Sequence, residues 1–202
     1  MNAPESLYAL IQRLGMAAIK QTALGMRVVE QRKSGGSSDV TLEQETRDQI
    51  DQLIRVSISF TAKLLVVSSP DPSSARALDT ARDLEAHLTA NLDRTHGDRE
   101  SVLGSTLHKA VQKLTTAAAT FALIMTDLVT LDVTTATDPF KIGTGAKARE
   151  QTYALARAAV TFTTQLLVAY SDDPESAREP AAEMEDGLVE FLDEAPWYEE
   201  EL

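Results

Sequence analysis

Residues 47–76 read RDQIDQLIRVSISFTAKLLVVSSPDPSSAR, and residues 149–178 read REQTYALARAAVTFTTQLLVAYSDDPESAR. Set against each other at an offset of 102 without a gap, 15 of the 30 positions are identical. Average composition would give about two matches. The matches include Arg55/Arg157, Phe60/Phe162, the Leu64–Leu65–Val66/Leu166–Leu167–Val168 run and Asp71–Pro72/Asp173–Pro174. A weaker echo pairs LIQRLGMAA (10–18) with AVQKLTTAA (110–118). The expectation is a tandem duplication of a unit of about 100 residues, divided as 1–98 and 99–194 and packed as one domain, with an acidic aromatic tail at 195–202.

Working outward from the repeat, apolar residues recur at three and four, and strand alternation is absent. Each unit therefore reads as three helices, near 5–32, 42–68 and 72–94, then 101–134, 146–170 and 175–194. The fold class expected is all-α, a six-helix bundle. Thr41 with Gln44 reads as a capping box. Asp71–Pro72 and Asp173–Pro174 each read as an N-cap carboxylate followed by proline at the first helical position, so both copies are expected to turn alike. Pro180 should kink the sixth helix or delay its start. The third helix of each unit is amphipathic, and the second, fourth and fifth are apolar around more of their circumference, which places them centrally.

Charge is unevenly distributed. The chain has 202 residues, with 19 Lys+Arg against 31 Asp+Glu and a net charge of −12. Residues 1–171 hold 18 bases and 18 acids, whereas residues 172–202 hold 13 acids and the single base Arg178. Phosphate contacts need Lys or Arg, so DNA or RNA binding through the C-terminal region is not expected. A protein partner with a basic surface is.

The absence of cysteine excludes disulfides, thiolate zinc sites and cysteine nucleophiles. His87, His96 and His108 fall on separate segments without a Glu-x-x-His pair, so no metal is expected. No glycine-rich phosphate loop or nucleophile elbow occurs, and no cofactor is expected. No apolar run reaches the roughly 20 residues of a membrane span, and no secretory signal is seen, so the chain reads as cytoplasmic.

Three features are candidates for function. The first is the stretch Ala195-Pro196-Trp197-Tyr198-Glu199-Glu200-Glu201-Leu202, in which Trp197 and Tyr198 would anchor a docking peptide while Glu199, Glu200 and Glu201 steer it to a basic groove. The second is the small-residue stripe Gly15, Ala18, Thr22 and Gly25, with Thr115, Ala118 and Ala122 at the corresponding positions of the second unit, which implies close approach of another helix. The third is a polar stripe at matched positions, Arg55, Ser59 and Lys63 in one copy and Arg157, Thr161 and Gln165 in the other, read as a seam where the two units or a partner helix meet.

Arg82-Asp83-Leu84-Glu85-Ala86-His87 resembles the Arg-x4-His motif of HEPN ribonucleases, four-helix proteins of toxin–antitoxin systems. That resemblance implies Arg82 and His87 as an RNA-cleaving pair. The repeat copy around Met184 to Val189 has neither residue. The segment LLVVSSPDPSSARALDTARDLEAHL is loosely similar to talin- and vinculin-type bundles, whose Ala-rich helices bind partner helices. The functional expectation is a non-enzymatic interaction or assembly protein, with homo-oligomerisation left open. A HEPN-like ribonuclease or toxin–antitoxin component is the alternative. A carrier of an apolar ligand, suggested by the scarcity of bulky aromatics, is the third reading.

Overall fold

The computed structural model describes residues 7–34, 40–95, 105–131 and 146–194. Among them are six helices: α1 (Leu7–Lys33), α2 (Val40–Val67), α3 (Ala75–Thr95), α4 (Ser105–Leu131), α5 (Ala146–Ala169) and α6 (Pro174–Glu194). No strand occurs among the described residues. No described helix is long and apolar enough to cross a membrane.

Each helix buries the stripe that its apolar spacing predicts. On α1 this is Leu10, Ile11, Leu14, Ala17 and Ala18, and on α3 it is Ala81, Leu88 and Leu92. The contacts arrange α1, α2, α5 and α4 as a four-helix core, with α1 against α2 and α4, and α5 against α2 and α4. The outer helix α3 packs on α2 and α6 packs on α5. Buried residues of all six helices form one contiguous cluster, in which Phe60, Phe121 and Phe162 are the largest fully buried side chains.

Where α2 meets α5 the contact is small and polar. Ser57, Thr61, Ala159 and Thr163 are all fully buried. The Thr61 Oγ1 atom lies 2.9 Å from the Ser57 carbonyl oxygen one turn back, and the Thr163 Oγ1 atom lies 2.9 Å from that of Ala159. The two hydroxyls are 3.1 Å apart. Each also approaches the carbonyl of the facing helix, Thr61 to Ala159 at 3.5 Å and Thr163 to Ser57 at 3.3 Å. The arrangement is reciprocal: Thr61 and Ser57 on one side correspond to Thr163 and Ala159 on the other. Each hydroxyl carries one proton and two acceptor sites, so neither is buried without a partner.

The helix starts depart from expectation in two places. Helix α2 begins at Val40, so Thr41 already lies inside its first turn, and Gln44 donates its side-chain amide to Asp48 at 2.8 Å. Helix α3 begins three residues after Pro72, because Asp71 accepts from the Ser73 backbone N–H at 3.1 Å and the Ser73 hydroxyl at 2.7 Å, closing a turn ahead of the helix. Its cap is Ser74, whose Oγ accepts from the Ala77 N–H at 3.2 Å. Asp173 does cap α6, accepting from the Ser176 N–H at 3.3 Å and the Ser176 hydroxyl at 2.6 Å. Those two bonds favour the charged form and hold the Asp173 carboxyl below its ordinary range. The two Asp-Pro turns, expected to be alike, are therefore built differently.

Pro180 does not delay α6, which runs continuously through it. The proline sits on the exposed face, where the carbonyl one turn back can bond to water instead.

Two tests follow from these contacts. Ser74→Ala should cost about 1 kcal/mol, and Asp71→Ala clearly less, in denaturant unfolding. Thr61→Val and Thr163→Val should each cost about 1 kcal/mol, with the double variant non-additive by about 0.5 kcal/mol or more. Additive costs would show that the two hydroxyls do not depend on each other.

Candidate functional site

Two residues of the polar stripe, Arg55 and Thr161, bond to the protein's own outer helices, whereas Arg157 and Gln165 border an open groove beside Ala110 and Lys113 of α4. On α2, the Arg55 Nε donates to Asp51 at 2.8 Å and its NH2 group donates to Asp93 of α3 at 2.5 Å. The Asp93 bond, then the Asp51 bond, raise the Arg55 pKa further above its ordinary value. On α5, Thr161 and Thr164 donate to the two carboxylate oxygens of Glu185 on α6, at 2.7 Å and 2.9 Å. The seam expected between the two units, or with a partner helix, is thus where α2 clasps α3 and α5 clasps α6. Helices α2 and α5 instead meet at the threonine crossing, on a face that these polar stripes do not include.

The two clasps differ in charge. At the sequence offset of 102, Tyr153 aligns with Asp51 and Arg157 with Arg55, and Arg157 is exposed. The Tyr153 hydroxyl is shielded from water, and Asp193 acts on it without closing a well-formed hydrogen bond. Burial first, and then Asp193, push the phenol above its ordinary pKa of 10.0.

The outer surface of α6 carries the most strongly patterned charge among the described residues. Glu175, Glu179, Glu183, Asp186, Glu190, Asp193 and Glu194 are all exposed, and their three- and four-residue spacing puts them on one face. That face lies opposite Ala181, Leu188 and Leu192, which are buried against the bundle. The helix's one base, Arg178, is paired with Glu175 at 2.9 Å. The corresponding face of α3, displaced by 100 residues, is Ala75, Asp79, Asp83, Ala86, Ala90, Asp93 and Arg94. Helix α3 therefore carries no matching stripe. The period of the α6 stripe is present in the sequence, but a count of acids does not reveal it; only their projection around the helix does.

The other candidates are distributed as follows. Gly15, Ala18 and Thr22 are buried, as are Ala118 and Ala122, and α1 does pack on α4. Thr22 donates to the Ala18 carbonyl at 2.9 Å. Gly25 is different, since a Cβ there would meet nothing nearer than the Gln21 side chain at 4.0 Å. Nothing presses at that position. Arg82 is exposed and paired with Asp79 at 2.8 Å, and the His87 ring lies 3.1 Å from the Asn91 side-chain amide. Both side chains are exposed and engaged with neighbours on α3. Residues 195–202, with Trp197, Tyr198, Glu199, Glu200 and Glu201, lie outside the described residues. Among the described residues no group of three His, Cys, Asp or Glu is placed to hold a metal ion.

No family model matches the chain, and no curated protein and no solved structure matches it.

The asymmetry of the clasps is testable. Arg55→Ala should destabilise the protein by about 1 kcal/mol, and Arg157→Ala by less than about 0.5 kcal/mol, because only the first breaks two formed ion pairs. Tyr153 binds its proton more tightly folded than unfolded, so its contribution is present below pH 10.0 and is lost as pH rises beyond that value. Spectrophotometric titration should show one tyrosine ionising late, and Tyr153→Phe should remove it.

Proposed function

We propose that this chain is a non-enzymatic interaction or assembly protein, built by duplication of a three-helix unit, whose acidic C-terminal end docks a basic partner. The observation that carries this reading is the stripe on α6: seven exposed carboxylates on one helical face with one base among them. Such a face raises association rates with a positive surface through long-range attraction. Charge alone does not discriminate among basic partners, and this reading assigns specificity to Trp197 and Tyr198, a few residues beyond α6.

Duplication is supported by the 15 identities in 30 positions and by the reciprocal contact of Thr61 with Thr163, residues separated by the same offset of 102. The unit boundaries we assign are 1–98 and 99–194, with 195–202 as the docking segment. The location we assign is the cytoplasm.

The ribonuclease alternative gains nothing from the geometry, because Arg82 and His87 are each engaged with a neighbour on an exposed helix face. The apolar-carrier alternative has the interior working against it, since Phe60, Phe121 and Phe162 fill the centre.

The test is affinity capture from the native cell with the full chain and with a version lacking residues 195–202. Neutralising the acids of α6 should slow association and flatten its salt dependence. Trp197→Ala should instead speed dissociation and cost about 2 kcal/mol in partner binding. Arg82→Ala with His87→Ala should leave capture unchanged. Equal capture by all variants would overturn the reading.

A further inference from the structure

The acidic stripe has a counterpart of opposite sign on the same molecule. Helix α1 exposes Arg13, Lys20 and Arg27 at intervals of seven residues, which keeps them on one face. Arg13 and Lys20 border an open groove between α1 and α2 whose other walls include Gln12, Met16, Gln49 and Gln52. Among the described residues, no carboxylate lines this groove. The Gln49 Oε1 atom is buried there without a hydrogen-bond partner, and Met16 is 42% exposed. Arg27, further along, lies 4.0 Å from Glu45 of α2 with most of its side chain in solvent.

The spacing of the two stripes agrees. Glu179, Asp186 and Asp193 on α6 also fall at intervals of seven. Seven residues of helix rise about 10.5 Å, so two helices lying side by side can align all three charge pairs at once. Complementary charges at heptad spacing set partner choice in packed helices generally. Neither outer helix covers α1, because α3 packs on α2 and α6 on α5.

We propose that the basic partner is a second copy of this chain, with the acidic face of α6 in one copy lying along the Arg13–Lys20–Arg27 face of α1 in the next. This inference rests on the reading of the acidic end as a docking element and names its partner. The two faces are different surfaces of one molecule, so the contact is heterologous and leaves a free face of each kind at the two ends of a pair. Assembly therefore proceeds head to tail. It is held by exposed charges, so it is weak and sensitive to salt.

The experiment uses the full chain in sedimentation velocity over a concentration series at low and high ionic strength. The expected result is a mass that grows with concentration at low salt, with association weakened about tenfold or more at high salt. Two variants isolate the faces: Arg13→Gln/Lys20→Gln/Arg27→Gln, and Glu179→Gln/Glu183→Gln/Asp186→Asn/Glu190→Gln. Each alone should stay monomeric with an unchanged circular dichroism spectrum. Mixed in equal amounts they should form a pair and nothing larger, because each retains one intact face.

A wild-type chain that is monomeric at every concentration in low salt overturns the inference, as does a mixture that fails to pair. Binding of the wild type to anionic lipid vesicles through Arg13 and Lys20, without self-association, would also overturn it. A labelled decalysine peptide separates the two levels. If it binds the wild type but not the α6 variant while the chain stays monomeric, the docking role of the acidic face stands and only its partner is wrong. If the α6 variant binds it as tightly as the wild type, the docking role falls as well.

Discussion

The crossing of α2 over α5 sets the conditions for everything packed around it. Two threonines face each other there with a serine and an alanine as their neighbours, and all four are inaccessible to water. A larger side chain at any of these positions would force the helices apart and open the core beside Phe60 and Phe162, which lie one residue before Thr61 and Thr163. Burying hydroxyls in that setting would be costly if either lacked a partner. Each has its own carbonyl one turn back and the opposing hydroxyl across the contact. The crossing is thus a polar point inside an apolar cluster, and its directional bonds fix the register of the central helices in a way that aliphatic packing alone does not.

From that register follows the division of labour among the helices. Helices α2 and α5 are covered on several sides, by each other, by α1 and α4, and by the outer pair α3 and α6. Their polar stripes survive burial because the outer helices bring carboxylates to them: Asp93 to Arg55, and Glu185 to Thr161 and Thr164. The inner sides of α3 and α6 are thereby spent on the bundle. What the outer helices offer to other molecules must lie on their far sides, and only α6 has a single-signed face there.

Much of this was legible in the sequence. The all-helical class and the central position of α2, α4 and α5 follow from apolar spacing, which does not single out α1, the helix that completes the four-helix core. Periodicity identifies which face of a helix is polar, but not which helix will cover it, so the expected seam between units or with a partner helix proves, at Arg55 and Thr161, to be a contact with α3 and α6. The helix starts were harder. Asp71–Pro72 and Asp173–Pro174 are the same dipeptide, yet Ser73 follows the first and Glu175 the second. With Ser73 available, Asp71 closes a local turn and leaves the capping to Ser74, a choice between nearly equal hydrogen bonds that a motif cannot resolve. The basic counterpart on α1 was hidden for another reason: residues 1–171 sum to zero charge, and a sum carries no information about faces.

The crowding of like charges on α6 bears on the helix itself. Carboxylates three and four residues apart repel one another along its whole outer side. Glu190, Asp193 and Glu194 also stand at the negative end of the helix dipole. The segment is kept helical by its cap at Asp173, by the Glu185 clasp and by Ala181, Leu188 and Leu192 against the bundle. Dissolved ions screen the repulsion among these acids as effectively as they screen attraction to a positive surface. Ionic strength therefore acts on α6 in two opposed directions, tightening the helix on its own bundle while loosening its hold on anything outside it.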